Sequence, residues 1–555
     1  MSEFYRDSTS PVEDNKYEVE FKIKESGEIK KLLGFSSIED AYKSILQSWK
    51  LAEIDKLEIR ETKNEDIPFC LKEKYKYPHN KIKHIFEQVS DDLPSILDKY
   101  VSVVGWVKTV RTHASDAFAF CSLNDGSTSE SLQIIVNKEN EVIEGSFDDF
   151  YQKASTGVSL RAFGKIIKSP AKGQLIELVA ETILIEGTVE NPDTYPVAKK
   201  KFHLETMRGM CHLRPRTNVF GNVFRLRNAL TVATHEFYQK RDFLHLDPNV
   251  ISINECEGGA GVFTVSELDF DSQSQRAYQK IDWKKDHFNK RAFLTVSSQL
   301  QLEALACSMG NVYTTNKSFR SEHSLTSKHV SEFTHLEIEQ CFTSFKDLMD
   351  IGEDYVKYVI DYVLKNNFKE LSALNAYQSK GLIDRLTAIR DCDFHRMTYK
   401  EAIEIIQEDL KAKKVKMTTR PKIGDDLGTE HENYLTKKFE KPVFVTHWPS
   451  DIKSFYMKQC DDGTCESFDL IMPFGVGELI GASQREESYD KLLEMMTKKG
   501  IDKKDLEFYL DLRKYGTCQH GGFGLGMDRF LMLLTGMNSI KDVIPFPVYY
   551  TSCMY

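Results

Sequence analysis

Along the first part of the chain, Tyr17, Val19, Phe21 and Ile23 alternate with Glu18, Glu20 and Lys22. That period of two belongs to a half-buried strand. Ser36-Ser37-Ile38-Glu39 then forms a capping box, and Ile38, Ala41, Tyr42, Ile45, Leu46 and Trp49 recur at helical spacing. Leu57 and Ile59 suggest another short strand. Residues 1–91 therefore read as a small appended α/β extension of unassigned role, its Lys and Glu side chains forming a solvated face. From about Tyr100 the texture shifts to short β segments: Val101 and Val103, Gly105-Trp106-Val107, Phe118–Phe120, Leu132–Val136, Leu160–Gly164 and Ile176–Leu178. Asn124-Asp125-Gly126-Ser127 is a turn between two of them. Such a run of short strands over 92–187 predicts a small barrel of the OB type. Residues 188–215, with Pro192, Pro196 and Lys199-Lys200-Lys201, read as a linker. Over 216–555 long amphipathic helices alternate with apolar strands, which predicts a large α+β domain.

Composition narrows the class only a little. At 555 residues the chain exceeds a single core. Its 41% hydrophobic and 28% charged residues match a globular protein. No apolar run approaches the roughly 20 residues that cross a bilayer, so no membrane partner is expected. The N-terminus, Ser2-Glu3-Phe4-Tyr5-Arg6-Asp7, carries neither an apolar signal core nor an Arg-rich transit pattern, and a cytoplasmic location is expected. Eleven scattered cysteines without any C-x-x-C pair read as reduced thiols rather than a zinc site. The net charge of −10 is not that of a general nucleic-acid binder, yet a large protein can confine its basic groups to one face.

Three segments carry the chemistry. Phe319-Arg320-Ser321-Glu322, a polar loop, and Glu332-Phe333-Thr334-His335-Leu336-Glu337-Ile338-Glu339 read as strand, loop, strand. An Arg there can fork onto an anionic oxygen and an aromatic can face a heterocycle. Taken alone, Arg320 and Glu322 also fit a surface pair on any hairpin. Gly521-Gly522-Phe523-Gly524-Leu525-Gly526-Met527-Asp528-Arg529 is a Gly-rich strand entering a helix, which allows a ligand close to backbone and sets Arg529 over the same pocket. Phe243-Leu244-His245-Leu246-Asp247-Pro248 follows a helix from about Gly221 to Gln239.

In this order and spacing the three segments resemble the signature motifs of class II aminoacyl-tRNA synthetases, and over about residues 92 to 555 the subgroup that activates Asp, Asn and Lys. Within it the asparagine-activating members are most similar. The residues that carry this are His212–Asn218, Leu294–Leu300, Gly424–Glu432, Lys453–Met457 and Gly477–Glu487. The resemblance implies an ATP- and Mg²⁺-dependent ligase, with L-asparagine, ATP and tRNA(Asn) as partners, acting as a homodimer. It implies an antiparallel catalytic sheet flanked by helices. Arg320 is expected on the α-phosphate, with Phe333 and Arg529 on either side of adenine and His329 on the γ-phosphate. Glu322 joins the ATP and amino-acid sites, and Asp469 and Glu478 would hold Mg²⁺. Glu257, in a Gly-rich loop that reads as a mobile flap or a plain surface turn, joins Ser297 and Gln299 on the α-amino group, and Arg485 reaches the substrate side chain.

Aspartate-activating relatives place a Lys three residues after the position of Gln299, where this chain has Leu302. With Arg485 as the one nearby cation and Glu322 accepting from the amide, asparagine is the expected substrate, and Leu302→Lys should raise activity on aspartate. The alternatives are an aspartyl or non-discriminating enzyme and a non-catalytic RNA-binding relative. The latter would be expected to lack Arg320, Glu478 or Arg529. Arg111, Phe120 and Gln133 match anticodon-reading positions, although by pattern alone Phe120 belongs in the barrel core. Three departures stand out: Asp247 before the motif 1 Pro, Gln519 before His520, and no Arg after Pro547.

Overall fold

The computed structural model describes residues 79–112, 118–197, 202–254, 261–268 and 281–555, together with the backbone of 17–23, 29–35 and 54–61. The helix expected over 38–49 and the loop residues 255–260, Glu257 included, lie outside the described residues. The chain divides into two compact units, Met1–Lys201 and Phe202–Tyr555.

In the first unit β1 (Tyr17–Ile23), β2 (Ile29–Phe35) and β3 (Ile54–Glu61) form an antiparallel sheet in the order β2-β1-β3. Helix α1 (Ile82–Ile96) follows. It runs through the expected 91/92 boundary, because Ile82, Ile85, Val89 and Ile96 are buried in the same core as the barrel strands. The barrel comprises β4 (Tyr100–Thr112), β5 (Phe118–Asn124), β6 (Leu132–Asn137), β8 (Ser159–Lys168) and β9 (Ile176–Gly187), with the short β7 (Glu141–Val142) alongside β9. Parallel pairing of β6 with β9 closes it. Helix α2 (Phe147–Lys153), started by a Ser146/Asp149 capping box, sits between β7 and β8. The turn read at Asn124–Ser127 has Gly126 at φ +82°. It also caps α1, since Asp125 Oδ2 accepts from Ile82 N at 3.0 Å and Ser127 Oγ from Lys83 N at 3.1 Å.

The second unit opens at Phe202 rather than at 216. The guanidinium of Arg214 is fully buried and donates to the carbonyls of Lys541 (3.2 Å) and Ile544, and Arg208 forks onto Asp542. Residues 202–215 are thus part of this core, not a free linker. Helix α3 (Asn218–Gln239), capped by Thr217, leads to β10 (Leu244–His245), β11 (Ile251–Ser252), β12 (Thr264–Val265) and β13 (Ala292–Leu294). Then come α4 (Gln299–Met309), β14 (Asn311–Phe319), β15 (Glu332–Cys341), α5 (Phe345–Asn366) and β16 (His395–Thr398). The unit ends through α6 (Thr429–Phe439), β17 (Val443–Pro449), β18 (Thr464–Met472), β19 (Gly477–Gln484), α7 (Glu507–Lys514), β20 (His520–Gly526) and α8 (Met527–Thr535). Eight strands make one sheet in the order β10-β14-β15-β20-β19-β18-β17-β16. The expected antiparallel pairing holds for its interior, whereas both end pairs, β10–β14 and β16–β17, are parallel.

Strand alternation gives this sheet two faces. Leu336 and Ile338 of β15, Phe523 and Leu525 of β20, and Phe468 and Leu470 of β18 pack with α3, α5 and α8 in one apolar core. The alternate residues Phe333, His335, Glu337 and Glu339 of β15 face the other way, as do His520, Gly522 and Gly524 of β20. A register shift between Leu470 and Ile471 pairs Glu478 with Ile471, which brings Glu478 onto the same face as Gly481 and Ser483.

Candidate active site

The polar face of the sheet carries a cleft of about 210 Å³ lined by Arg320, Glu322, Lys328, His329, Phe333, Glu478 and Arg529, among others. All six residues expected on ATP are therefore together. The Arg320 guanidinium lies 5.6 Å from the Phe333 ring centroid. Arg529, in the first turn of α8, donates to the carbonyl of Glu478. Asp528 beside it accepts from Thr334 N at 2.7 Å and pairs with Arg227, which ties α8 and α3 to the strand bearing Phe333.

The glycines of β20 make room for side chains of the neighbouring strand. A Cβ on Gly522 would sit 2.1 Å from Glu339 Oε2, and one on Gly524 would sit 2.5 Å from His335 Nε2. Close approach there serves β15 first, and only Gly524 and Gly526 also line the cleft.

Asp469 and Glu478 flank Gly481: a Cβ there would meet Glu478 Oε1 at 3.1 Å and Asp469 Oδ1 at 3.9 Å. Asp469 is held by Lys453 at 2.8 Å. Burial raises the Asp469 pKa to about 7, aided by Glu478 and opposed by Lys453. Burial and Glu478 likewise raise Glu432 on α6 to about 7. Among the described residues no cluster of three or more His, Cys, Asp or Glu is arranged to hold a metal by itself. Two carboxylates that leave the other positions to phosphate oxygens and water are the usual protein share for Mg²⁺.

Further along the same face the structure assembles a buried polar network. Ser297 Oγ donates to Glu337 at 2.5 Å, and Glu337 also accepts from Ser298 N at 2.9 Å. Arg485 bridges Glu339 with two bonds of 2.9 Å and donates to Gln299 Oε1 at 2.6 Å, while Gln299 Nε2 donates to Glu339 at 3.0 Å. Behind them Glu303 accepts from Arg513 (2.6 Å), Tyr509 (2.6 Å) and His520 (2.8 Å), all fully or nearly fully buried. Burial alone would lower the His520 pKa, but Glu303 raises it to about 9. Burial alone would raise that of Glu303, but Arg513, His520 and Arg485 hold it far below the usual carboxylate range.

The carboxylate paired with Arg485 is Glu339, and Glu322 lines the cleft beside Arg320. Two expectations are corrected. Arg485 is not the lone cation, since Arg513 and His520 join it through Glu303. Leu302 is fully buried in an apolar cluster with Ala306, Val312 and Cys341, so the next residue of α4, Glu303, reaches the charged network in its place. A lysine at 302 would enter that apolar cluster, and its predicted gain on aspartate loses its basis. Glu303, Glu337, Glu339 and Arg513 escaped the sequence reading. The alternation of Glu337 and Glu339 with Leu336 and Ile338 was the available signal.

In the barrel, Arg111 of β4 pairs directly with Phe120 of β5, and Gln133 of β6 pairs with Ser122, two residues from Phe120. Cross-strand partners share a face, so the three lie together on the outside of the barrel. Phe120 is half-buried there between the core residues Ala119 and Cys121, which removes the core reading. Buried Glu177 accepts from Gln133 (3.1 Å), Ser169 (2.7 Å) and Gln174 (3.2 Å) and so orients Gln133.

Comparison with known proteins bears on both units. Residues 204–549 match the family model described as tRNA synthetases class II (D, K and N), and residues 101–186 match that of the OB-fold nucleic acid binding domain. An asparagine–tRNA ligase of Clostridium tetani is 42% identical, covering 83% of this chain and 97% of the relative. The enzyme of that name from Desulfitobacterium hafniense is 41% identical over 83% and 97% of the two chains. Among solved structures, asparaginyl-tRNA synthetase from Pyrococcus horikoshii complexed with asparaginyl-adenylate superposes with a TM-score of 0.69 at 29% identity, covering 83% of this chain and 97% of that one. The Entamoeba histolytica asparaginyl-tRNA synthetase with the same adenylate gives 0.69 at 27% identity, covering 83% and 98%.

Proposed function

The chain belongs to the class II tRNA synthetases of the D, K and N group, and from that premise we infer that it is an asparagine–tRNA ligase. It joins asparagine to tRNA in two steps. The asparagine carboxylate attacks the α-phosphorus of ATP, pyrophosphate leaves, and the 3′-terminal hydroxyl of tRNA(Asn) then takes the acyl group from the adenylate as AMP departs. The carboxylate is already ionised at neutral pH, so the first step needs no general base.

The observation that carries this reading is one continuous polar face in which a cation-lined cleft adjoins a pre-assembled, buried network of Arg485, Glu339 and Gln299. In the cleft Arg320 would hold the α-phosphate and neutralise charge as the bond forms, Phe333 and Arg529 would hold adenine, and His329 would meet the γ-phosphate. Asp469 and Glu478 would hold Mg²⁺, which when bound supplies charge neutralisation on the phosphates. Ser297 and Gln299, together with Glu257, would take the α-amino group, and Glu322 at the cleft would close the amide side.

Selectivity follows from how the cations are already engaged. Arg485 is taken up by Glu339 and Gln299, Arg513 and His520 by Glu303, and Glu337 is held by Ser297, Ser298 and His335, so each of these cations is paired before a substrate carboxylate arrives. A neutral amide enters without an uncompensated buried charge, and aspartate does not. ATP–pyrophosphate exchange with the purified protein tests this. Exchange is expected with asparagine and Mg²⁺ and only weakly with aspartate at equal concentration, and equal exchange would overturn the selectivity argument.

On the barrel, Arg111, Phe120 and Gln133 would read the anticodon by stacking and edge hydrogen bonds. A homodimer is the expected assembly, supported by the exposed apolar side chains Leu244, Ile251 and Ile253 at the β10 end of the unit. Light scattering at micromolar concentration should give twice the chain mass. No helix among the described residues is long and apolar enough to cross a membrane, and work on tRNA fits a cytoplasmic enzyme.

A further inference from the structure

Three cysteines that the reaction does not use converge beside the amino-acid pocket. Cys307 lies on α4, four residues after Glu303; Cys341 ends β15; Cys518 stands two residues before β20. All three pack with Leu302, Ala306 and Val312 in one cluster. Backbone bonds bring the three elements to this point. Cys341 N donates to Gly310 O at 3.2 Å, Phe342 N to Gln519 O at 2.7 Å, and Cys341 pairs with His520 across β15 and β20. The Cys341 thiol donates to Ala306 O at 3.2 Å and interacts with the thiols of Cys307 and Cys518. Cys341 is buried, and Cys307 and Cys518 are partly exposed.

The two thiols differ in access. Cys307 is partly exposed, whereas Cys341 is buried against Ala306 and Val312. An oxidant from solvent therefore meets the Cys307 thiol first, and the buried Cys341 thiol is placed to resolve it.

We propose that this cluster is a peroxide-responsive site in which Cys307 and Cys341 close a disulfide tethering α4 to β15. The Cys307 thiolate attacks one oxygen of hydrogen peroxide. The O–O bond breaks, hydroxide leaves and is protonated to water, and Cys307 becomes a sulfenic acid. The Cys341 sulfur then attacks the Cys307 sulfur and the S–O bond breaks. The Cys341 proton leaves with that oxygen as a second water. Two thiols are oxidised and one peroxide is reduced to two waters. Helix α4 begins with Gln299, and Glu339 stands two residues before Cys341 on β15 while Phe333 lies at the strand's other end, so the tether strains the surroundings of Gln299 and Glu339 before it reaches the cleft. That consequence rests on the proposed roles of Gln299 and Arg485; the disulfide does not.

The full-length protein is treated with stoichiometric hydrogen peroxide, free thiols are alkylated, and disulfide-linked peptides are mapped by mass spectrometry. A linked Cys307–Cys341 peptide is expected, with a rise in the asparagine KM on the order of tenfold, well within what a displacement of about 1 Å costs. The ATP KM stays unchanged, and dithiothreitol reverses the effect. Cys307→Ser should abolish both linkage and KM rise, and Cys341→Ala should do the same. If the Cys341 variant fails to fold, the partly exposed Cys307 position carries the test alone. Alkylation of both as free thiols, oxidation only to sulfinic acids, or a Cys341–Cys518 link instead would overturn the proposal. The expected link without any change in asparagine KM supports the thiol site and overturns the pocket assignment.

Discussion

Glu303 shows what a single buried carboxylate can organise. It sits one turn after Gln299 on α4 and accepts from Arg513, Tyr509 and His520, none of them within reach of solvent. Removing one partner from such a set leaves the others charged and uncompensated, which typically costs about 3–5 kcal/mol. Glu303→Gln should therefore lower the thermal midpoint sharply and raise the asparagine KM more than the ATP KM, measurable by calorimetry and pyrophosphate exchange. The same set gives stability a pH dependence. The folded-state pKa of His520 is raised from 6.5 to about 9, so its contribution is complete below about pH 6.5 and is lost as pH rises through 9. Glu303 runs the other way: its folded pKa is depressed, so its contribution is present above the ordinary carboxylate range and is lost on acidification. Denaturation midpoints followed from pH 6 to 10 should fall in wild type. In His520→Asn that alkaline slope should flatten, and an unchanged slope would sink this account.

At the scale of elements, the Gly-rich strand β20 matters because of what stands beside it. Gly522 pairs with Glu339 of β15 in the antiparallel register, and a methyl group there would overlap both Ile338 O and Glu339 Oε2 at 2.1 Å. The carbonyl belongs to a ladder and cannot move aside. Gly522→Ala is expected to cost about 1–3 kcal/mol from overpacking and to push Glu339 off Arg485. Asparagine binding should weaken in that variant while the ATP KM changes little, and an alanine variant with wild-type asparagine KM would refute the role given to Glu339. The β18–β19 irregularity is a second element-level device. Without that shift, period-two alternation would turn either Glu478 or the pair Gly481 and Ser483 away from the cleft.

For the whole molecule, the two compact units divide the labour. One carries Arg111, Phe120 and Gln133 on a barrel face, and the other carries the cleft and the pocket. Phe120→Ala should lower aminoacylation kcat/KM for tRNA by roughly ten- to a hundredfold, the range of one lost base stack of about 1–3 kcal/mol. Pyrophosphate exchange, which needs no tRNA, should be untouched. Equal losses in both assays would mean that Phe120 supports the fold rather than the tRNA. The net charge of −10 is no obstacle to this, since recognition rests on a local face of the barrel.

Local order along the chain was enough for much of this. Period-two alternation specified β1, short β segments between turns specified the barrel strands, and turn chemistry specified Asn124–Ser127, because each is a short-range pattern that backbone geometry reads directly. Arg320, Phe333 and Arg529, singled out through the family resemblance, line one cleft. The partners of Arg485 were not legible. Glu339 and Gln299 lie 146 and 186 residues away from it, and Glu303 meets Arg513 and His520 across 210 and 217 residues. Sheet pairing brings such groups together, and a charged residue in the sequence carries no mark of whether it ends in solvent or in an ion pair. The same holds for Leu302, whose place three residues after Gln299 was readable but whose burial against Val312 and Cys341 was decided only when β14 and β15 packed on α4.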